Sequence, residues 1–427
     1  MSLAAFLDRD GVINEADGFV SRPEDVRIIN GAVDGIRLLN SLGMKVIVVT
    51  NQPQVARGMC TEEDVEKING RISDDVSRAG GKIDAFYYCP HHPETHHEDI
   101  PENAKRYRKE CECRKPKTGM LLQAAKDFGI DLTNSFVIGD RTVDVKSGHN
   151  AGCRTVLVKT GLAGNDKKYE AEADFVSNDL LAAAKLIKDL VSMKTLILAG
   201  GRGERLRPLT DDLPKPMIPI HGKPLIEHLI ELSKKHGIEN IVISGHYLFG
   251  KLMDYFGDGS RFGVKIEYVD DGAVPLGSGG AVKKCEKLLP ENFVVFSGDV
   301  FTDINVWELV KFHFKKGGIA TLVTRETDHP HDSDIIEIDK DHKAVNFYSK
   351  KSQHKTGNMA NTGLFVLNKR LIGSIPDKSN LENDVIAVAL KSYNIYCFLS
   401  KNCYIRDIGT PERLKTVQED VEKLGLL

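Results

Sequence analysis

The 427-residue chain is longer than one ordinary hydrophobic core supports, so its length predicts two domains. A hydrophobic content of 41% with 28% charged residues is typical of a soluble globular protein, and no apolar run is long enough to cross a bilayer. The net charge of -3 argues against a general nucleic-acid binder, and the N-terminus has no signal-peptide pattern. We therefore expect a cytoplasmic protein with reduced cysteines.

In the first half, short apolar segments alternate with segments in which apolar residues recur at helical spacing. Thr61 and Asp64 form a capping-box pattern ahead of one such helix. The predicted strands span residues 3–7, 44–49, 83–88, 135–138 and 155–158, and the predicted helices include residues 31–42, 119–128 and 179–191. This alternation predicts a doubly wound parallel sheet that is covered on both faces.

A second strand and helix series begins after Met193, where a buried strand leads into a Gly-rich turn. We place the domain boundary there, which gives domains 1–190 and 191–427. The predicted strands span residues 240–244, 265–269, 293–296, 319–324, 362–367 and 395–399, and the predicted helices span residues 224–236 and 280–288. This second domain is expected to have a Rossmann-like mixed sheet.

Acids and a hydroxyl follow separate strands of the first domain. Asp8 and Asp10 follow the first strand, Thr50 ends the second, Asp140 ends a later one, and Lys115 can add a positive charge. Asp8 and Asp140 can bind Mg²⁺, and Asp8 can also attack phosphorus. Asp10 can act as the general acid and base, while Thr50 and Lys115 can stabilise charge on the phosphoryl group. The set predicts a phosphatase.

This domain resembles the haloacid dehalogenase superfamily, and within it the heptose-bisphosphate phosphatases. The resemblance is carried by residues 6–11, 48–52, 56–58, 87–93, 111–116 and 119–121. It implies that Asp10 also offers Mg²⁺ its backbone carbonyl, and that Asn51, Arg57 and Arg114 contact the substrate. The chain departs from the family at Pro53-Gln54, where a Ser-Gly pair is usual.

Two closely spaced pairs of metal-ligand residues form a motif of their own. Cys89 and His91 make one pair, and Cys111 and Cys113 make the other. Four such ligands complete a tetrahedral Zn²⁺ site with no open position, so we expect this zinc loop to be structural.

The second domain opens with a phosphate-binding pattern. Gly200, Gly201 and Gly203 allow the backbone to approach a ligand closely and to direct N–H groups at phosphates. Arg205 and Lys215 follow and can neutralise a triphosphate and a sugar phosphate. The turn lacks the Gly-Lys-Ser/Thr ending of a P-loop ATPase.

Asp299 follows a buried strand and Asp407 lies near the C-terminus, and together they suggest a Mg²⁺ pair. The domain resembles the sugar-1-phosphate nucleotidyltransferases through residues 200–210, 214–217, 275–280, 297–299, 361–363 and 407–411. That resemblance implies that a sugar phosphate attacks the α-phosphorus of a nucleoside triphosphate and that pyrophosphate leaves. Arg205 would stabilise the pyrophosphate, and Lys215 would hold the sugar phosphate. The remaining substrate contacts would come from Gly277, Gly279, Asn361 and Lys350.

Together these patterns predict a bifunctional enzyme of nucleotide-activated heptose synthesis. It would remove the C7 phosphate of a heptose 1,7-bisphosphate and then transfer a nucleotidyl group to heptose 1-phosphate. The resemblance favours GTP as the donor. The expected partners are small sugar phosphates and a nucleoside triphosphate, without nucleic acid or membrane, and the oligomeric state stays open, a homo-oligomer included.

The sequence also allows two different functions. One is a histidinol-phosphate-type or other sugar phosphatase fused to a hexose-1-phosphate nucleotidyltransferase. The other is a second domain that senses a nucleotide sugar without catalysis. Ser349 gives the sensor some support, because related transferases often carry Glu there, whereas Arg205, Lys215, Asp299 and Asp407 argue against it.

Overall fold

The computed structural model describes residues 2–16, 18–93, 101–272, 274–327, 329–352 and 356–426. The chain divides into two units, Met1–Leu190 and Val191–Leu427, which we call the first and second modules. None of the helices in the described ranges combines the length and the apolar character needed to cross a membrane. All eight cysteines have free thiols.

The first module is built on one six-stranded sheet in which every neighbouring pair is parallel, with the order β3-β2-β1-β4-β5-β6. Its strands are β1 Ala4–Leu7, β2 Lys45–Asn51, β3 Ala85–Cys89, β4 Phe136–Gly139, β5 Arg154–Val158 and β6 Phe175–Ser177. Its helices are α1 Ala32–Ser41, α2 Glu62–Arg78, α3 Glu102–Lys105, α4 Gly119–Phe128, α5 Thr142–Asn150 and α6 Leu180–Val191. The predicted doubly wound parallel sheet is confirmed.

The pairing of the central strands brings their carboxyl ends to one edge. Leu7 at the end of β1 pairs with Val48 of β2 and with Ile138 of β4. Residues that follow these strands therefore meet at the same edge of the sheet. Helix α2 begins with the predicted capping box between Thr61 and Asp64. The apolar core on one side of the sheet includes Phe6, Ile47, Val49, Leu121 and Val137.

The second module has a larger mixed sheet, as predicted, with the main order β11-β10-β7-β12-β17-β14-β18. Its strands are β7 Thr195–Leu198, β8 Pro219–Ile220, β9 Lys223–Pro224, β10 Asn240–Gly245, β11 Lys265–Asp270, β12 Asn292–Ser297, β13 Val300–Thr302, β14 Ala320–Glu326, β15 Ile335–Ile338, β16 Ala344–Tyr348, β17 Met359–Asn368, β18 Ile395–Leu399 and β19 Ile405–Asp407. Its helices are α7 Leu225–Lys235, α8 Phe249–Phe256, α9 Gly277–Lys284, α10 Val306–Lys316, α11 Ala387–Ala389 and α12 Pro411–Leu424.

Helix α9 differs from its prediction. We expected a helix over residues 280–288, whereas α9 spans Gly277–Lys284 and a separate 3-10 turn covers Glu286–Leu288. A Cβ at Gly277 would lie 2.3 Å from the Ser379 carbonyl oxygen, and one at Gly280 would lie 2.3 Å from that of Asp377. Close packing against this neighbouring backbone, which the local sequence does not reveal, places the glycines inside the helix despite their low propensity.

Candidate active sites

Three buried carboxylates converge at the carboxyl edge of the first sheet. Ligand oxygens of Asp8, Asp140 and Asp144 all lie within 4.8 Å of one another. Lys115 enters the cluster, with its Nζ 3.0 Å from Asp8 Oδ1 and 2.6 Å from Asp144 Oδ1. Thr50 is also buried and lies near the end of the neighbouring strand β2. The structure thus brings Asp8, Asp140 and Lys115 together as predicted and adds Asp144.

The cluster holds more negative charge than one lysine balances. Burial, reinforced by the charges of Asp8 and Asp144, raises the pKa of Asp140 to about 7. Burial also raises the pKa of Asp144 to about 6, although Lys115 opposes that shift. Asp140 Oδ1 is buried without a hydrogen-bond partner. The acids therefore fit a hard cation such as Mg²⁺, which favours carboxylate oxygens.

Two glycines make room for the Asp140 carboxylate. A Cβ at Gly11 would lie 2.6 Å from Asp140 Oδ2, and a Cβ at Gly161 would lie 2.2 Å from the same atom. The Leu162 N–H donates to Asp140 Oδ2 at 2.7 Å. The loops that follow β1 and β5 therefore leave space for this carboxylate and fix one of its oxygens.

The Asp10 carboxylate is held by hydrogen bonds on several sides. Arg9, which is fully buried, donates to it through Nε at 3.1 Å and Nη2 at 3.0 Å. Asn14 donates at 2.9 Å, and Gln52 Nε2 donates both to Asp10 and to the Thr50 hydroxyl at 2.9 Å. Burial alone would raise the pKa of Asp10, but the Arg9 charge and these hydrogen bonds outweigh it and hold the pKa below its usual value.

Sequence reasoning missed Asp144 and Arg9. Asp144 lies four residues after Asp140, on the first turn of α5, and this spacing between two acids was a usable signal. Arg9 lies between Asp8 and Asp10 and offered no such signal, because an arginine beside acids is usually exposed. Only the fold shows that Arg9 points inward, where it also donates to Gln52 and Asn69.

The three residues assigned to substrate binding lie around this edge. Asn51 accepts from the Lys115 backbone N–H at 3.0 Å and donates to the Lys115 carbonyl at 3.2 Å, so it fixes the backbone of that lysine. Arg114 donates to the His91 carbonyl at 3.0 Å. Burial lowers the pKa of Arg114, and the nearby charge of Arg57 acts in the same direction. Two guanidinium groups in one region suit an anionic substrate.

Cys89, His91, Cys111 and Cys113 form a compact cluster. Their ligand atoms lie within 4.8 Å of one another, and the Cys113 sulfur lies 3.2 Å from that of Cys89, 3.3 Å from that of Cys111 and 3.4 Å from His91 Nδ1. The hydrogen bonds that Cys113 shares with Cys89, His91 and Cys111 lower the pKa of the Cys113 thiol although burial opposes the shift, whereas the contact with Cys113 raises the pKa of Cys89. The four residues fit one tetrahedral metal ion.

The second module contains a cavity of about 740 Å³ at the carboxyl ends of β7 and β12. The predicted residues that line it are Gly200, Gly201, Gly203, Arg205, Lys215, Gly277 and Asp299. Four other predicted residues, Gly279, Asn361, Lys350 and Asp407, lie outside this lining. The Gly-rich turn, both predicted cations and one of the two predicted metal acids therefore face a single space.

Asp299 and Asp407 are neighbours across a short strand pair. Val300 of β13 pairs with Asp407 of β19, and the Ile408 N–H donates to the Asp299 carbonyl at 2.9 Å. Lys215 forms an ion pair with Asp299. Burial alone would raise the pKa of Asp407, but Arg413, which donates to it at 2.8 and 2.9 Å, helps to lower it. Asp407 thus stays ionised next to the basic residues.

Sequence reasoning also missed several polar residues of the cavity wall. Asp271 is buried directly after β11 and accepts a hydrogen bond from the Ser244 hydroxyl at 2.7 Å. Its Oδ2 lies 3.2 Å from where a Cβ at Gly200 would stand, so it faces the Gly-rich turn. Glu382 and Ser278 line the same cavity. Ser278 lies inside the 275–280 motif, whereas no motif marks Asp271 or Glu382, because each lies on a different segment of the chain.

Comparison with known proteins matches both halves. The model of the nucleotidyl transferase family matches residues 194–423, more than half of the chain, and a haloacid dehalogenase hydrolase-like model matches residues 112–183. A D-glycero-beta-D-manno-heptose-1,7-bisphosphate 7-phosphatase from Photorhabdus laumondii is 38% identical over 188 residues, which cover 44% of this chain and 96% of the relative. The chain belongs to both families. It is a fusion of a haloacid dehalogenase-type phosphatase with a nucleotidyl transferase.

Two further proteins resemble parts of this fusion. A UTP–glucose-1-phosphate uridylyltransferase from Synechocystis is 36% identical over 198 residues, which cover 43% of this chain and 51% of that protein. A solved structure from Bacillus anthracis, assigned provisionally as a glucose-1-phosphate thymidylyltransferase, is 23% identical with a TM-score of 0.50. It covers 53% of this chain and 94% of its own, and this likeness concerns the fold alone.

Proposed function

We propose that the fusion catalyses two consecutive steps of nucleotide-activated heptose synthesis. The first module would hydrolyse the C7 phosphate of D-glycero-D-manno-heptose 1,7-bisphosphate. The name of the Photorhabdus relative gives the beta anomer of this substrate, and the name of another relative from the same species, 35% identical over 185 residues, gives the alpha anomer. The second module would join the resulting heptose 1-phosphate to a nucleotide. The observation that carries this proposal is one chain that holds both a phosphatase-type acid cluster and a nucleotidyl transferase cavity. We assign the first step to residues 1–190 and the second to residues 191–427.

In the first step, the Asp8 carboxylate attacks the C7 phosphorus and the bond from phosphorus to the sugar oxygen breaks. The leaving oxygen takes its proton from the protonated fraction of Asp10, which the hydrogen bonds from Arg9, Asn14 and Gln52 keep small. Water, deprotonated by Asp10, then hydrolyses the aspartyl phosphate and releases inorganic phosphate. Lys115 and the Thr50 hydroxyl neutralise the phosphoryl oxygens. Bound Mg²⁺, held by Asp8, Asp140 and the Asp10 carbonyl, would balance charge on the phosphoryl group. The hydrogen bonds that Arg9 and Gln52 donate keep the Asp10 carboxylate beside this centre.

In the second step, the heptose 1-phosphate oxygen attacks the α-phosphorus of the donor and pyrophosphate leaves. The backbone of the Gly200–Gly203 turn would hold the phosphates, Arg205 would stabilise the leaving pyrophosphate, and Lys215 would hold the sugar phosphate. Mg²⁺ at Asp299 and Asp407 would neutralise the triphosphate. The pairing of β13 with β19, in which Val300 lies opposite Asp407, supports this assignment because Asp299 directly precedes Val300.

We propose GTP as the donor because of the position of Asp271. A buried carboxylate beside the Gly-rich turn can accept two hydrogen bonds from the N1–H and N2–H₂ groups of guanine. Uracil, cytosine and adenine lack two neighbouring donors of this kind. A site that hydrogen-bonds one particular base edge can discriminate strongly against bases that leave it unpaired.

The test is pyrophosphate release by the full chain with each of four nucleoside triphosphates and several sugar 1-phosphates. We expect GTP with D-glycero-α-D-manno-heptose 1-phosphate to give the highest kcat/KM. Asp271→Asn should lower the preference for GTP over UTP by about tenfold or more, because an amide can accept only one of the two hydrogen bonds. Asp270→Asn, at the adjacent exposed position, is the matched control. Preference for UTP or CTP would overturn the donor assignment, and preference for a hexose 1-phosphate would overturn the sugar assignment.

A histidinol-phosphate-type phosphatase and a non-catalytic sensor would give different results in these assays. The former would release phosphate from histidinol phosphate faster than from heptose bisphosphate. A second module that only senses nucleotide sugars would bind one without releasing pyrophosphate. The Lys215–Asp299 pair and Arg205 in the cavity wall favour catalysis over sensing.

We further propose that the Cys89, His91, Cys111 and Cys113 cluster holds one structural Zn²⁺. Its three sulfurs and one nitrogen form the ligand set that such sites use, and four protein ligands leave no position open for a substrate. Metal analysis of protein purified without chelators should find about one Zn²⁺ per chain. A zinc-free preparation with full phosphatase stability would contradict this assignment.

A further inference from the structure

The carboxylate of Glu382 forms part of the cavity wall in the second module. Glu382 lies on a single π-helical turn, Leu381–Ile386, and π turns often mark functional sites. The Ser278 hydroxyl donates to Glu382 Oε2 at 3.2 Å and accepts from the Leu381 N–H at 2.8 Å. The turn is thereby fixed to the start of α9, and Glu382 is held in one place.

Glu382 has acceptor capacity to spare. No lysine or arginine among the described residues forms an ion pair with it, and the only side-chain donors that approach its carboxylate there are Ser278 and Asn380. Burial raises the pKa of Glu382, and the charge of Asp334 acts in the same direction. Glu382 is half-buried in the cavity wall, so a ligand that displaces water from the cavity must donate hydrogen bonds to this carboxylate in turn. The hydroxyl groups of a bound ligand can donate these hydrogen bonds without adding a further charge to the cavity.

The neighbours of Glu382 indicate which part of the reactants it meets. Asp334 accepts from the Lys350 N–H through Oδ1 at 2.7 Å and from the Asn361 N–H through its carbonyl at 2.9 Å. These three residues lie by β15 and β17, on the opposite side of β7 from Asp271. With the phosphates at the Gly-rich turn after β7 and the base at Asp271, the acceptor sugar occupies the side of β17. The cavity that Glu382 lines also reaches β17 at Gly363 and Phe365, so Glu382 and the β17 side share one space.

We propose that Glu382 accepts hydrogen bonds from hydroxyl groups of the sugar 1-phosphate and so helps to determine which sugar phosphate the second module uses. This inference rests on the proposed nucleotidyl transfer and adds a residue that recognises the sugar. A carboxylate can accept from two neighbouring hydroxyls at once. A sugar that lacks one of them leaves this half-buried carboxylate underpaired and is bound less tightly.

Steady-state kinetics of Glu382→Gln and Glu382→Ala in the full chain test the inference. Both variants should raise the KM for heptose 1-phosphate by about tenfold or more, the usual effect of losing a hydrogen bond to a charged group, and leave the KM for GTP unchanged. Glu286→Gln, an exposed position beside α9 that does not line the cavity, is the control and should change neither constant. Fluorescence of Trp307, the single tryptophan, verifies that each variant is folded.

Monodeoxy analogues of heptose 1-phosphate sharpen the test. Wild-type protein should lose activity most with the analogue whose missing hydroxyl meets Glu382, and Glu382→Gln should shrink that particular loss by about tenfold. Equal losses in wild type and variant, or a rise in the KM for GTP instead, would overturn the inference while leaving nucleotidyl transfer intact. A wild-type protein that releases no pyrophosphate with any sugar 1-phosphate would overturn the proposed function as well. If Glu382→Ala does not fold, the isosteric Glu382→Gln still decides the outcome.

Discussion

The two modules place their polar groups at the same kind of position but at very different density. In the first, three carboxylates and one ammonium crowd within a few ångströms at the ends of β1 and β4 and the start of α5. In the second, the charged groups are spread around a cavity of about 740 Å³. Parallel strands supply the edge in both cases, and the loops that follow them decide what is done there.

The difference in density suits the difference in chemistry. Phosphoester hydrolysis needs a nucleophile, an acid and a cation around one phosphorus atom, so the groups can be close together. Nucleotidyl transfer needs room for a base, a triphosphate and a sugar, so recognition is distributed over several segments. The comparison predicts that single substitutions in the first site abolish activity, whereas those in the second site divide between loss of rate and loss of selectivity.

The largest effect should come from Asp8→Asn. The amide is a poor nucleophile, so phosphate release from heptose bisphosphate should fall by about a thousandfold or more. Pyrophosphate release by the second module should stay within about twofold of wild type, since each module has its own core. Both activities are measured on the same preparation, and loss of both in a folded variant would contradict two independent sites.

The reciprocal change is Lys215→Met. Lys215 pairs with Asp299 inside the cavity, and its loss removes the charge that would hold the sugar phosphate. We expect pyrophosphate release to fall by about a hundredfold to a thousandfold with phosphatase activity unchanged. Lys234→Met, at an exposed position of α7, is the control. Unchanged pyrophosphate release in the Lys215 variant would remove this residue from the reaction.

Cys111→Ser distinguishes the modules by stability. If one metal ion holds the four-residue cluster together, weaker metal binding should lower the melting temperature of the first module by several degrees. The reason is that the free energy of metal binding contributes directly to the free energy of folding. Trp307 lies in α10 of the second module, so its fluorescence reports that module alone and should melt as in wild type. The melting temperature followed by circular dichroism is compared with that followed by tryptophan fluorescence. Cys397→Ser replaces a buried thiol of the second module and is the control, in which the fluorescence transition should shift instead.

A smaller effect, on the stability of the second module, is expected at acidic pH. His313 is buried in the second module, where its ring nitrogens meet Thr321 at 2.9 Å and Asn292 at 3.1 Å, and burial lowers its pKa to about 4. An unfolded histidine titrates near 6.5, so the unfolded chain binds more protons between these two values. Stability from this site is complete above about pH 6.5 and is lost as the pH falls toward 4, by roughly 3 kcal/mol.

The pH dependence of the free energy of unfolding, followed by Trp307 fluorescence, measures this loss. His313→Gln keeps polar contacts with Thr321 and Asn292 but cannot titrate, so its profile should be flatter over the same range. A profile as steep as that of the wild type would show that other groups cause the acid sensitivity.

The sequence by itself determined the type of both sheets and the residues that follow their strands. The spacing of apolar residues and the residues that form turns are local properties of the sequence. The alternation of strands and helices, the Thr61 capping box and the clustering of Asp8 with Asp140 could therefore be predicted. The Cys and His pairs likewise carry their spacing in the chain. These features need only short segments and the rule that parallel strands end at one edge.

Only the tertiary structure decided which further side chains complete each site. Arg9 turns inward because Asn69 and Gln52, distant in sequence, accept its hydrogen bonds. The glycines of α9 are helical because the backbone of residues 377–379 packs against them. Asp271 and Glu382 share one cavity although they lie 111 positions apart along the chain. Such contacts depend on long-range packing, which leaves no periodic trace in the local sequence.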